Sequence, residues 1–145
     1  MAGEAVDRTL WNEIAEYAAR WFPSSGLIFA DVHAAIAFAM AGNRVALHRM
    51  VENRQAPAAD ILLPIARGFD ALARSKWAKV VEEIGPVLET HERVGGSRAQ
   101  RDLLEYTVTC AHLRNGQRDE ALQLISRRRP ANGKGGYPLA GLHQG

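Results

Sequence analysis

A chain of 145 residues, 47% hydrophobic and 23% charged, has the length of one domain and can bury roughly two-thirds of the surface its unfolded form exposes, which excludes a disordered or fibrous protein. The formal charge is only +2 and unevenly placed: no acid follows Glu120, and setting aside Arg127, Arg128, Arg129 and Lys134 leaves 14 of the 18 basic residues against 16 acidic ones. The part expected to fold is slightly acidic, against a broad nucleic-acid face, and the single cysteine, Cys110, rules out an internal disulfide.

The first helix is expected over about Asp7 to Phe22. Leu10, Trp11, Ile14, Tyr17, Ala18 and Trp21 recur at steps of three and four as an apolar stripe, with Glu13, Glu16 and Arg20 between them. Pro23-Ser24-Ser25-Gly26 ends it. A second helix, about Asp31 to Ala41, has an aspartate suited to N-capping and almost no polar face, so it is expected as an inner rung covered on several sides. Gly42-Asn43 is a minimal turn into a third helix, about Arg44 to Arg54, with Leu47, Met50 and Val51 inward and Arg44, His48, Arg49 and Glu52 outward.

Pro57 and Pro64 bracket a connection, and proline is well tolerated at a first helical position, so the fourth helix is expected from near Pro64 to near Arg74. Ile65, Phe69 and Leu72 share its apolar face; Arg67, Asp70 and Arg74 form its polar stripe. After Ser75-Lys76 a fifth helix runs from Trp77 to about Val94, with a kink at Gly85-Pro86. Gly95-Gly96 closes it, and Ser97 with Gln100 forms a capping box for a sixth, about Arg98 to Arg114. That helix carries two apolar rows and one polar row of Asp102, Glu105, Thr109 and His112. Asn115-Gly116 turns the chain into a seventh, about Arg118 to Arg128, and the Gly-rich stretch 130–145 reads as a flexible tail after a domain of residues 1–129.

Three turns superpose: Ala41-Gly42-Asn43-Arg44, Arg74-Ser75-Lys76-Trp77 and Asn115-Gly116-Gln117-Arg118. Five residues after Gly42, Ser75 and Gly116 come Leu47, Val80 and Ala121, each opening an apolar row, so the register is shared. An all-α stack of about seven helices follows, a helical-hairpin repeat (α-solenoid) of the tetratricopeptide (TPR-like) kind. The residues Asp31-x-His33-Ala34-x-x-Ala37-Phe38 with Ala41-Gly42, then Asp60-x-x-Leu63-Pro64, Gly95-Gly96-Ser97-x-Ala99-Gln100-Arg101-Asp102 and Arg114-x-Gly116 resemble the C-terminal part of the tetratricopeptide repeat protein 38-like family. The resemblance covers roughly Trp11 to Arg128. It implies a helical repeat fold and a scaffolding or protein-binding role, with no catalytic residues to transfer.

In such a stack the first helix of each hairpin lines a concave surface, here offering Arg67, Asp70 and Arg74 beside Asp102, Glu105, Thr109 and His112 as a mixed-charge groove for a peptide or partner helix. The competing reading is a solvated face with rung-to-rung ion pairs. A different class of function, a small-molecule binder or enzyme, would use a pocket near His33, His91 and His112. Asp31 and His33 read more simply as a cap and a core histidine, and Cys110 as a buried small apolar residue. Gly95-Gly96-Ser97 reads as a stop and a cap rather than a phosphate cradle, and the Arg127 to Lys134 cations as a weak, salt-sensitive attachment at most. No metal spacing occurs and no cofactor is implied. The aromatics Trp11, Trp21 and Phe22 on an end helix lead to an expected homodimer. The longest uncharged apolar run, Ala34 to Gly42, is far short of the ~20 residues of a membrane span, and no signal-like segment opens the chain, so the expected location is cytoplasmic.

Overall fold

The computed structural model describes residues 7–22, 26–52, 58–96 and 98–128; among these there are seven α-helices, one 3₁₀ segment and no strand. The expected capping box of Ser97 with Gln100, the Pro23 to Ser25 break, Pro57 and the tail of 130–145 lie outside the described residues or side chains. Helix α1 spans Arg8–Trp21, capped by Asp7, whose Oδ1 accepts the Thr9 amide at 2.9 Å. Helix α2 is Ile28–Ala41, α3 Arg44–Glu52, α4 Ala59–Ala73 and α5 Trp77–Ile84. The 3₁₀ segment is Gly85–Val94, α6 is Arg98–Arg114 and α7 is Arg118–Arg128.

The three hairpin turns are conformationally the same. Gly42, Ser75 and Gly116 all take the left-handed backbone, with φ of 73°, 56° and 75°. Each turn closes with one pair of bonds: Gly42 to the Ala39 carbonyl and Asn43 to Phe38, Ser75 to Leu72 and Lys76 to Ala71, Gly116 to Leu113 and Gln117 to His112. This is the Schellman closure, which satisfies carbonyls that the end of a helix leaves free. The next helix starts two residues on each time, at Arg44, Trp77 and Arg118, and the residues five on, Leu47, Val80 and Ala121, are all buried.

Packing repeats less well than the turns do. Helices α2 and α4, the first members of two successive hairpins, lie against each other; α3 leans on both, and α5 packs closely on α4. That last approach is tight at Gly68, where a Cβ would overlap the buried Ile84 side chain. The third hairpin is displaced. Helix α6 packs on α5, on the 3₁₀ segment and on α7, and touches α4 at most marginally, while the 3₁₀ segment reaches α4 and α2. Arg93, near the end of that segment, holds Asp60 at the start of α4 through bonds of 2.8 and 3.4 Å. The core is a continuous cluster from Ala15 through the α2 alanines, Phe69, Ile65 and Ile84 to Leu104 and Val108.

Several expectations change. Helix α4 opens at Ala59, so Pro64 stands inside it. The proline forfeits one bond to the Asp60 carbonyl and costs about 3 kcal/mol, which the burial of Ile61 and Leu62 at about 1.5–3 kcal/mol each offsets. Helix α2 begins at Ile28, so Asp31 is no N-cap but a buried, 6% exposed residue of the first turn, where the helix dipole favours a carboxylate. His33 faces solvent rather than the core, edge-on to Phe29 with Nδ1–H donating to the Phe29 carbonyl at 2.6 Å. Thr109 is buried and donates to the Glu105 carbonyl at 2.7 Å, so it leaves the polar row. At Gly85-Pro86 the fifth helix does not merely bend; it tightens into the 3₁₀ segment, which is itself interrupted at Thr90 (φ −130°, ψ 19°).

Candidate functional site

The polar stripe of α4 opens onto a cleft of about 420 Å³ walled by α3, α4 and α5. Helix α3 contributes Arg44, Leu47, His48 and Val51, which share one face by their spacing of three and four. Helix α4 supplies Ala66, Arg67, Asp70, Ala71 and Arg74, and the turn and first coils of α5 bring Lys76, Lys79 and Glu83. Leu47, Val51, Ala66 and Ala71 are its apolar residues; the charged residues ring them. A second hollow of about 200 Å³ shares Arg44, Leu47, Asp70 and Arg74 with it and extends to Arg8 beside Gly42.

Both acids of the cleft are engaged. Asp70 accepts from Arg74 at 2.8 Å, and Glu83, with Glu82, holds the Lys79 ammonium at 3.1 and 2.7 Å. Those two carboxylates, Glu82 ahead of Glu83, push the Lys79 pKa up, so it stays charged across the neutral range. His48 pairs with Glu52 at the rim, 3.2 Å away. Among the described residues the side chains of Arg44, Arg67 and Lys76 have no ion pair and no hydrogen bond. The cleft thus combines an apolar floor with three uncommitted cations, an arrangement that fits an anion carrying an apolar body.

The structure gathers Arg67, Asp70 and Arg74 into this cleft but does not bring Asp102, Glu105 or His112 to it; none of the three lines either hollow. Among the described residues α6 has no substantial packing on α4, and the 3₁₀ segment packs on both. His112 serves its own hairpin. His112 Nδ1–H donates to Gln117 Oε1 at 3.1 Å, and the same oxygen accepts from Asn115 at 2.9 Å, bracing the third turn. Asp102 and Glu105 are half-buried and partnered.

The alternative histidine pocket is not assembled by either hollow: His33, His91 and His112 line neither. His91 Nδ1–H donates to the Leu88 carbonyl at 2.8 Å. No group of three metal-ligating side chains occurs among the described residues, and no described helix is long and apolar enough to cross a membrane. Cys110 is half-buried, and desolvation pushes its thiol pKa up, away from the reactive thiolate.

Sequence reasoning misses Arg44 and His48, which it reads only as the outward face of the third helix, Lys76, which it reads as part of a turn, and Lys79, to which it gives no role. Their signal is positional: Arg44 and Lys76 belong to two of the superposable turns, those at Gly42 and Ser75, and both line this cleft. In comparisons with known proteins, no protein-family model, no curated protein and no solved structure matches this chain.

Proposed function

We propose that the chain is a non-catalytic protein-interaction module of the tetratricopeptide-like kind, and that the α3–α4–α5 cleft holds an acidic, amphipathic peptide segment of its partner. The observation that carries this reading is the set of uncommitted cations, Arg44, Arg67 and Lys76, around an apolar floor. Guanidinium groups grip carboxylates in pairs, and an amphipathic segment lays its apolar face into a groove while its charges meet the rim. The repeated hairpin turns agree with such a scaffold, and so does the resemblance to the tetratricopeptide repeat protein 38-like family.

Fluorescence polarisation tests it with a labelled twelve-residue peptide bearing Leu at helical spacing and Glu between. Its counterpart with Lys in place of Glu is the control. The acidic peptide is expected to bind at about 10–100 µM and the basic one not at all. Reversal of the mouth with Arg44→Glu and Arg67→Glu should weaken the acidic peptide at least about tenfold, since two charge-assisted contacts go. Equal binding of both peptides, or binding indifferent to the reversal, would remove the cleft from the function.

A further inference from the structure

Helix α1 has two apolar stripes, and its own fold covers only one. Trp11, Ala15, Ala18 and Phe22 form the inner stripe; Ala15 and Ala18 are buried and Trp11 and Phe22 half-buried, and among the described elements only α2 has substantial packing on α1. One residue earlier at each step, about 100° around the helix, stand Leu10, Ile14, Tyr17 and Trp21. These are 48%, 40%, 59% and 59% exposed, too much apolar surface on one face to be the scattered exposure of an ordinary monomer. Leu27 and Phe29, also exposed, continue the apolar surface in sequence past the Trp21 end.

We propose that this face pairs antiparallel with the same face of a second copy of the chain. The spacing of the four residues is four, three, four, which reads identically from either end. An antiparallel copy therefore sets Leu10 against its partner's Trp21 and Ile14 against its partner's Tyr17, each twice, as a twofold interface requires. The charges agree. On the side of the stripe away from α2 lie Glu13 and Arg20, seven residues apart and out of reach of each other within one helix. Antiparallel pairing brings Glu13 of each copy to Arg20 of the other; parallel pairing brings neither to an opposite charge. The Arg20 guanidinium already lies over the Trp21 ring, 5.3 Å from its centre, next to the seam.

At 59% exposure Tyr17 and Trp21 retain roughly 200–300 Å² between them, given the ~150–250 Å² such side chains can bury. With Leu10 and Ile14 the pair of stripes offers on the order of 800 Å², below the ~1,200 Å² of a standard stable interface. The dimer is thus a weak one, with a dissociation constant of about 10–100 µM.

Sedimentation velocity on the full chain from about 5 to 500 µM should show the mass rise from the 15.9 kDa of one chain towards twice that and stop there. Trp21→Glu with Tyr17→Glu, both at exposed positions, should abolish the rise with the far-ultraviolet dichroism unchanged. Glu13→Arg and Arg20→Glu should each weaken the dimer about tenfold alone. An equimolar mixture of these two single variants should recover it, because every Glu13-to-Arg20 contact is then again between opposite charges. A mass of one chain at all concentrations, a ladder beyond two chains, or a mixture no better than its components would each overturn antiparallel self-pairing. None of these results depends on the α3–α4–α5 cleft.

Discussion

The turns at Ser75 and Gly116 have the same left-handed residue and the same pair of closing bonds, yet the hairpins they join differ sharply in packing. In the second hairpin Ile65, Phe69, Val80 and Ile84 are sealed between α4 and α5, with Gly68 letting the two helices approach closely. In the third, α7 has substantial packing on α6 and on no other described element, and it buries only Ala121 among its described side chains. The two levels of order therefore separate: the turn is dictated within six residues, while the depth of packing depends on what else reaches the hairpin. The second hairpin has α2, α3, α6 and the 3₁₀ segment around it. The third has α5 and that segment on one side only.

The largest test of this contrast is Gly68→Ala. The new methyl meets the fully buried Ile84 side chain, which has neighbours on every side and cannot retreat, so the cost should be about 2–3 kcal/mol in urea unfolding. Truncating half-buried Ile125 to Ala in α7 should cost about 1 kcal/mol or less. If Gly68→Ala is silent, the close α4–α5 approach is wrong. Combining it with Ile84→Ala should cost less than the sum of the two single changes, since the cavity left by one accepts the methyl of the other.

The turns should behave alike where the cores do not. At Gly42 and Gly116 a methyl meets nothing closer than the Arg8 guanidinium at 3.6 Å, so replacement by Ala brings only the backbone penalty, about 1–2 kcal/mol at each. Ser75 already bears that penalty, and Ser75→Gly should raise stability by about 0.5 kcal/mol after the extra freedom of glycine in the unfolded chain is allowed for. Thermal denaturation of the three variants checks it. Unequal losses at Gly42 and Gly116 would mean that the turns are equivalent in geometry but not in energy.

The same division explains what the sequence discloses. The positions of Gly42, Ser75 and Gly116 and the burial of Leu47, Val80 and Ala121 are legible because a Schellman closure and the first coil after it are local. The start of α4 is not, since Pro64 signals a boundary and only the tertiary burial of Ile61 and Leu62 overrides it. The inward face of α1 is hidden for another reason. Its heavier stripe, Leu10 to Trp21, attracts the eye, but Ala-rich α2 admits the smaller residues Ala15 and Ala18 at close range. Half of the cleft is legible from the spacing of Arg67, Asp70 and Arg74. Its other wall is not, because whether α3 and α5 or α6 faces that stripe is decided by where the 3₁₀ segment lies.

The smallest effect concerns α1, the first described helix as α7 is the last, which has an explicit cap where α7 has acids in its first turn. The Asp7 carboxylate is held below its ordinary value of 3.8 by the Thr9 amide first and the Thr9 hydroxyl second. Because the folded pKa is the lower one, the cap contributes its stabilisation in full above the unfolded value and loses it as pH falls through the folded value. Hydrogen exchange of the α1 amides, compared between pH 5 and pH 2, should show protection falling in the wild type relative to the Asp7→Asn variant. Asparagine caps the same amide without titrating. Asp7→Ala should leave α1 frayed at both pH values. An identical pH response in the wild type and Asp7→Asn would mean that the α1 terminus is held by its packing on α2 and not by the cap, making α1 and α7 alike in depending chiefly on one neighbouring helix.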